Sequence, residues 1–169
     1  MIQSQSILQK RWKKFKSLKR GYLSFIILIV LYAISFLVPF LINNKALVVH
    51  YNDQYYFPVF QYHSAHTFNQ THFGEAHYRQ LAKTLKSEPN NWLIMPLYPY
   101  HPNESLLNEI QGQPPTHPSA SHFFGTDNRG RDVFARLIYG FNITVSFALL
   151  VTVFSYIIGI FIGAILGYF

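Results

Sequence analysis

The chain has 169 residues, of which half are apolar and only 12% are charged, and it carries a formal net charge of +7 with no cysteine. The lack of cysteine excludes disulfides, thiolate chemistry and cysteine-ligated metal sites from this chain. The excess positive charge lies in residues 10–20, whereas basic and acidic residues balance after residue 42. No basic face for nucleic acid is therefore predicted.

Residues 1–20 form a basic tail. The tail contains seven Lys and Arg residues and no acidic residue, and such a bias before a first apolar stretch places the tail in the cytoplasm. Ile7, Leu8, Trp12 and Phe15 fall to one side of the lysines, which predicts an amphipathic helix on the inner leaflet. A less specific polybasic patch for anionic membrane lipid is compatible with the same orientation.

Residues 21–42 are predicted to form the first transmembrane helix. They contain no Asp, Glu, Lys, Arg or His, and roughly 20 apolar residues in a helix span a hydrocarbon core of about 30 Å. The stretch is too long for a secretory signal core and lacks a small-residue cleavage site. Pro39 lies near its outer end and predicts a kink or a helix end there.

Residues 43–121, here called the insert, are predicted to lie outside the cytoplasm as a small mixed domain. Residues 48–62 are rich in β-branched and aromatic side chains and favour strands or an extended arm. Residues 75–87 have a short helical pattern with two leucines one turn apart. Residues 92–100 are apolar but interrupted by two prolines, and residues 113–119 form a proline-rich connector.

All eight histidines lie between His50 and His122. The spacings His63-x2-His66 and His72-x4-His77 suit a metal, but few carboxylates and no cysteines accompany them. We therefore predict no metal site and interpret these histidines as polar surface residues. The alternative is a stand-alone two-span membrane protein whose outer domain senses a ligand or a metal.

Residues 122–140 are predicted to form an interfacial amphipathic segment. Asp127 can cap a helix, and Asp132 and Arg136 have the favourable acid-then-base spacing of one turn. Gly140 is predicted to turn the chain into the next span. The glycines of the segment permit tight turns or close packing, and its charged residues are expected to form a paired network, the members being Gly125, Gly130 and Gly140, and Asp127, Arg131, Asp132 and Arg136.

Residues 141–169 are predicted to form the second transmembrane helix, which returns to the cytoplasm. They contain no Asp, Glu, Lys, Arg or His. Ser155, Gly159, Gly163 and Gly167 recur every four residues and predict a helix-packing face. The first span has almost no matching small residues, so we expect the partner helix to lie outside this sequence.

No catalytic residue is predicted. The sequence has no GxxxxGK[ST] phosphate loop, no G-x-S-x-G elbow and no HExxH motif. We therefore expect neither an enzyme nor ATP hydrolysis by this chain.

The segment after residue 121 resembles the C-type inner-membrane permeases of bacterial dipeptide and oligopeptide ABC importers. Their second helix follows a pattern close to H-x-x-GTD-x-x-GRD-x-x-x-R-x-x-x-G. The chain carries matching residues at His122, Gly125, Thr126, Asp127, Gly130, Arg131, Asp132, Arg136 and Gly140. The long insert, with YYFPVF and NWLIMPLYPYHPNE, is similar to the branch that imports oligopeptides and microcin C.

The resemblance implies an all-α multi-pass protein of the bacterial inner membrane with a small mixed extracytoplasmic insert. Its implied partners are a sister permease, a cytoplasmic ATPase subunit that uses ATP, a periplasmic peptide-binding protein and membrane lipid. The motif residues would then shape the periplasmic mouth of the passage and contact the sister permease or the binding protein. Simple helix capping and topology setting are the alternative role for them.

The sequence also departs from the family pattern. The family has about six spans and a cytoplasmic EAA-x3-G motif that docks on the ATPase, and neither the later spans nor that motif occurs here. We therefore expect the N-terminal part of a permease fold, truncated after the second helix, that does not transport alone.

Overall fold

A computed structural model describes residues 6–86, 88, 90–110 and 112–168. The described elements, in chain order, are α1 (Ile7–Ser17), α2 (Lys19–Ser35), α3 (Val38–Leu41), β1 (Val48–Tyr51), β2 (Gln54–Tyr56), a 3₁₀ helix (Ala65–Phe68), α4 (Tyr78–Leu85), β3 (Trp92–Ile94) and α5 (Val133–Tyr168). The protein is mostly helical with one small sheet. Residues 1–5 of the predicted tail, Ser87 at the end of the predicted short helix, and Phe169 lie outside the described residues.

Helix α1 lies in the basic tail and meets α2 at a sharp bend. It begins with a capping box in which Ser6 and Gln9 each bond the other's backbone N–H. The axes of α1 and α2 are bent by 95° from each other. The ring of Phe15 packs at 5.9 Å from Tyr22 and 5.5 Å from Phe25, which holds the bend. The predicted helix is present, and its contact with a membrane leaflet stays a prediction.

The predicted first span is broken into two helices. Helix α2 ends at Ser35, and the short α3 follows with Pro39 in its first turn. Proline has no N–H to bond the carbonyl four residues earlier, which here is the carbonyl of Ser35. The helix of the predicted span therefore ends at Ser35, and the interruption expected near Pro39 is present.

Helix α5 runs without interruption for 36 residues, a length of about 54 Å. It passes straight through Gly140, so the predicted turn at this residue is wrong. A single interior glycine costs only about 1 kcal/mol against alanine and does not break a helix that apolar neighbours sustain. Among the described residues, α5 alone is long and apolar enough to cross a membrane, and α1 with α2 meet that test only as a bent pair.

The insert is built on a three-stranded antiparallel sheet in the order β2-β1-β3. Asn52 and Asp53, both with positive φ (50° and 59°), form the two-residue turn between β1 and β2. Val49 faces inward and is fully buried against α4, whose Leu81 and Leu85 are also buried. The predicted strands are present at Val48–Tyr51 and Gln54–Tyr56 but not over residues 57–62, and the predicted helix is present in a shorter form.

A second apolar cluster joins the insert to the long helix. It contains Val38 of α3, Ile42, Tyr98 and Ala135 of α5, and all four are buried. Backbone hydrogen bonds from Tyr98 N to Leu41 O (2.9 Å) and from Asn43 N to Tyr98 O (3.1 Å) attach the loop after β3 to the end of α3. The start of α5, which follows the motif segment, therefore lies beside the end of α3 and the first residues of the insert.

Candidate functional site

The motif at residues 125–132 folds into a tight hairpin just before α5. Thr126 and Asp132 face each other as an antiparallel bridge. Asp127 N donates to Arg131 O at 2.9 Å, and Gly130 N donates to Asp127 O at 2.9 Å. The GTD and GRD halves of the motif are therefore the two arms of one turn.

Two of the motif glycines are required by their conformation and surroundings. Gly125 has φ +68°, and a Cβ added there would lie 2.1 Å from Thr116 O. Gly130 has φ +69°, and its Cβ would lie 2.9 Å from Leu107 Cδ2. Gly140 lies inside α5, and an added Cβ would meet nothing within 4 Å. A backbone hydrogen bond from Thr126 N to Thr116 O (3.2 Å) attaches the proline-rich connector to the same hairpin.

Asp127 is the anion of a charged network at the hairpin. Its Oδ1 accepts hydrogen bonds from the backbone N–H groups of Arg129 and Arg131, both at 2.9 Å. Its Oδ2 pairs with Arg131 Nη2 at 2.7 Å and also with Arg136 Nη1. Burial raises the pKa of Asp127, but hydrogen bonds from the Arg131 side chain and from these backbone N–H groups outweigh it and lower the pKa to about 2.

Asp132 is fully buried at the junction, the place where the loops carrying Tyr98 and His122 meet the start of α5. Its Oδ2 accepts the hydroxyl of Tyr98 at 2.6 Å and lies 2.8 Å from His122 Nδ1. Its Oδ1 accepts the N–H of Ala135 at 2.8 Å, which caps the first turn of α5. One ionised carboxylate can accept all three bonds, so the start of α5 is held to the loops carrying Tyr98 and His122.

Two predictions about these carboxylates are wrong. The helix cap is Asp132 and not Asp127, because α5 begins one residue after Asp132. Asp132 also does not pair with Arg136. A side chain at the cap position folds back over the first helical N–H groups, so it does not extend along the helix to the next turn. Arg136 pairs with Asp127 instead, so the charged network contains Asp127, Arg131 and Arg136, and Asp132 lies outside it.

The junction is connected to a second polar cluster that the sequence did not indicate. The ring of His122 contacts the ring of Tyr100 at a tilt of 50°, with 4.6 Å between centroids, and the Arg79 guanidinium lies 5.0 Å from the Tyr100 centroid. Arg79 pairs with Glu104 and Glu109, each at 2.7 Å. The partners are 25 and 30 residues away along the chain, so no local pattern reveals them.

A polar ladder, defined here as three hydrogen bonds between otherwise apolar surfaces, joins α5 to α2 and to Ile42 at the end of α3. The three bonds are Tyr139 Oη to Ile42 O (2.7 Å), Asn142 Nδ2 to Ser35 Oγ (2.7 Å), and Tyr32 Oη with Ser146 Oγ (2.8 Å). The α5 residues of the ladder follow the spacing i, i+3, i+7 and share one helix face. This spacing was available in the sequence and was missed.

The predicted helix-packing residues on α5 are not covered by α2. Ser155, Gly159, Gly163 and Gly167 are exposed, and the polar ladder lies nearer the start of α5. Their role in packing against another helix stays a prediction.

The histidines of the insert are distributed over several local contacts. The rings of His72 and His77 lie 4.2 Å apart, and His72 Nε2 lies 2.9 Å from Glu75 O. Within residues 6–86, 88, 90–110 and 112–168, no group of three or more His, Asp or Glu side chains is placed to hold a metal ion.

The chain is similar to permease proteins of ABC transporters. It is 32% identical to the inner membrane ABC transporter permease protein YejE of Escherichia coli over 170 aligned positions, which cover the whole chain and 49% of that protein. It is 29% identical to the peptidoglycan transport system permease protein YejE of Agrobacterium fabrum, over 95% of the chain and 48% of the relative. It is 43% identical to the dipeptide transport system permease protein DppC of Bacillus subtilis, over 30% of the chain and 16% of the relative.

The chain spans about half the length of the two YejE relatives. No protein-family model matches it, and no solved structure matches it. The relatives include permeases named for dipeptide and peptide transport, which confirms the resemblance drawn from the motif.

Proposed function

Because the chain is homologous to ABC-transporter permeases, we propose that it forms part of the transmembrane passage of an ATP-driven peptide importer, of the oligopeptide or microcin C type. The observation that carries the proposal is the motif hairpin joined directly to the 36-residue apolar helix α5, in a chain similar over its whole length to such a permease. The protein acts by binding and by movement, so none of its residues serves as a nucleophile or general base. A cytoplasmic ATPase subunit uses the ATP, and a sister permease and a periplasmic peptide-binding protein complete the machine.

The proposed topology has the N-terminus in the cytoplasm, two spans and a periplasmic insert. The polar ladder supports it, because Ile42, Ser35 and Tyr32 meet residues of increasing number on α5, so α2 and α5 run antiparallel. The basic residues before α2 favour the cytoplasmic side for the tail. In this arrangement the 95° bend lays α1 along the inner surface of the membrane.

Single cysteines test this topology cleanly, because the chain has none of its own. Tyr55 is exposed on the insert and Lys13 is exposed on α1. We expect a membrane-impermeant maleimide to label Tyr55→Cys in intact spheroplasts and to label Lys13→Cys only after the membrane is permeabilised. The reverse pattern, or equal labelling of both, contradicts the proposed topology.

The motif hairpin is proposed to shape the periplasmic mouth and to contact the sister permease or the binding protein. Arg131 supports this role because its partly exposed side chain pairs with Asp127 within the hairpin. In the complete transporter, we expect Arg131→Ala to reduce peptide uptake without preventing membrane insertion. The matched control is Arg129→Ala, since the side chain of Arg129 is exposed beside it. Uptake that Arg131→Ala leaves unchanged would rule out this role.

The chain is also proposed to be inactive by itself, since two helices do not enclose a passage. Proteoliposomes that contain this chain together with the ATPase and the binding protein should show no ATP-driven peptide uptake. Uptake that depends on ATP in that preparation contradicts the proposal.

A further inference from the structure

We propose that the groove between α2 and α5 binds one acyl chain of a phospholipid from the outer leaflet, with an anionic headgroup at Arg136. The inference rests on the proposed function, because it requires that both helices cross the membrane. It adds a lipid of defined chemistry as a ligand of this site.

The groove lies beside the polar ladder and has a volume of about 830 Å³. Its walls are almost entirely apolar and are formed by Leu31, Ile34, Val38, Leu137, Phe141 and Val145. Gly140 lines the same groove, and a Cβ added at Gly140 meets nothing within 4 Å. The missing side chain at this position therefore leaves the space open.

The length of the groove fits one leaflet. From Arg136 to Val145 the helix rises about 14 Å, and one half of a hydrocarbon core is about 15 Å thick. A transmembrane helix packing here would need a groove along about 30 Å of α5. The groove thus has the dimensions of a lipid chain that begins at the interface and ends near the middle of the bilayer.

The outer end of the groove carries positive charge. Arg131 and Arg136 share the single carboxylate of Asp127, so one positive charge is not neutralised within this network. The Arg136 side chain is 44% exposed. Its Nη1 atom bonds Asp127, and no second carboxylate is paired with this guanidinium among the described residues. No Asp, Glu, Lys, Arg or His follows Arg136 in the chain, which places its guanidinium at the level of the headgroups. An apolar slot below a cation is complementary to an anionic amphiphile.

Native mass spectrometry of the full chain, in mixed micelles with equal phosphatidylglycerol and phosphatidylcholine of identical acyl chains, tests the proposal. The wild type should retain phosphatidylglycerol in preference to phosphatidylcholine by about fivefold, the effect of one interfacial cation. Gly140→Leu fills the groove and should lose most of the retained lipid. Arg136→Gln should keep lipid but lose the preference for phosphatidylglycerol.

Ala164→Leu is the matched control, because Ala164 is an exposed small residue on the same helix outside the groove. Equal lipid loss in Gly140→Leu and Ala164→Leu, or no loss in Gly140→Leu, overturns the proposal. Oxidative dimerisation of Gly140→Cys would identify a second copy as the occupant and would also overturn it. The Tyr55→Cys labelling distinguishes failure of the lipid site from failure of the proposed topology. A chain that inserts but retains no lipid contradicts only the lipid site. A chain that fails to insert contradicts the lipid site and the proposed topology.

Discussion

Asp127 and Asp132 are two carboxylates of the same turn with different surroundings. Asp132 has no exposed surface and accepts three hydrogen bonds from three different segments. Asp127 lies nearer the solvent and bonds only residues of its own turn and the next helical turn. The same chemical group therefore holds the junction together in one position and stabilises a local hairpin in the other.

Asp132→Asn is expected to destabilise the protein by about 3 kcal/mol. An asparagine oxygen can still cap Ala135, but its NH2 group would face the hydroxyl of Tyr98 and the ring of His122, where the carboxylate oxygen accepted both. Asp127→Asn is the control and should cost about 1 kcal/mol, because its partners are partly exposed. Thermal unfolding of the purified chain in detergent measures both, and equal losses would contradict the central role of Asp132.

Gly125→Ala and Gly140→Ala should have opposite effects. At Gly125 the positive φ and the carbonyl of Thr116 oppose any side chain, so we expect a loss of about 3 kcal/mol. At Gly140, alanine has free space and a better helix propensity, so we expect a gain of up to about 1 kcal/mol. Unfolding midpoints of the two variants in the same detergent make the comparison. A loss at Gly140 would indicate that another group packs against it.

At the scale of the elements, the contact between α2 and α5 depends on polar groups in an apolar surrounding. Ser35 is buried, and its hydroxyl both donates to Tyr32 O at 2.6 Å and accepts from Asn142. In the proposed topology lipid surrounds these groups and leaves them no water to bond, so each prefers its interhelical partner. The polar ladder thereby determines which face of α5 turns toward α2 and leaves the glycine face open.

A double-mutant cycle on Ser35→Ala and Asn142→Ala measures this contact. We expect a coupling energy near 0.6 kcal/mol and not above about 1.7 kcal/mol, the range of hydrogen bonds between membrane helices. Ser35→Ala combined with Thr152→Ala is the control, because Thr152 bonds the carbonyl of Ala148 in its own helix. The control pair should be additive. Coupling within error of zero for Ser35 and Asn142 would contradict the importance of the ladder.

At the scale of the whole molecule, Arg79 connects α4 to the loop that leads to the motif. Its guanidinium bonds two carboxylates and the carbonyl of Pro99 at 2.7 Å, and it stacks on Tyr100. The planar fork of arginine makes these contacts together, which a lysine ammonium does not. These side-chain contacts join the insert to the start of α5 in addition to the backbone hydrogen bonds at the hairpin.

Arg79→Gln is expected to destabilise the protein by about 3 kcal/mol, because it leaves the largely buried carboxylate of Glu104 without its cation. Lys83→Gln removes a positive charge from the exposed side of the same helix and should change stability little. Thermal unfolding in detergent distinguishes the two variants. If Lys83→Gln costs as much as Arg79→Gln, net charge rather than the specific contacts is responsible.

The sequence predicted some features of the site better than others, and the difference follows chain separation. The turn at Gly125 and Gly130 follows from neighbouring residues, and so does the interruption near Pro39, because proline and glycine act on their own backbone. The change of chain direction at Gly140 was predicted by the same logic and was wrong, since a glycine permits a turn without requiring one. Tyr98 was missed because its carboxylate partner lies 34 residues away.

The sequence by itself determined where charge is present and absent, and so which segments suit lipid and which suit water. It also predicted the resemblance to ABC-transporter permeases, since the motif is a local pattern of residue types. Only the tertiary structure decided that Asp132 rather than Asp127 caps α5, that Arg136 turns to Asp127, and that polar groups on α2 and α5 face each other. Composition acts through each residue's own transfer free energy, whereas hydrogen-bond partners depend on where the folded chain returns.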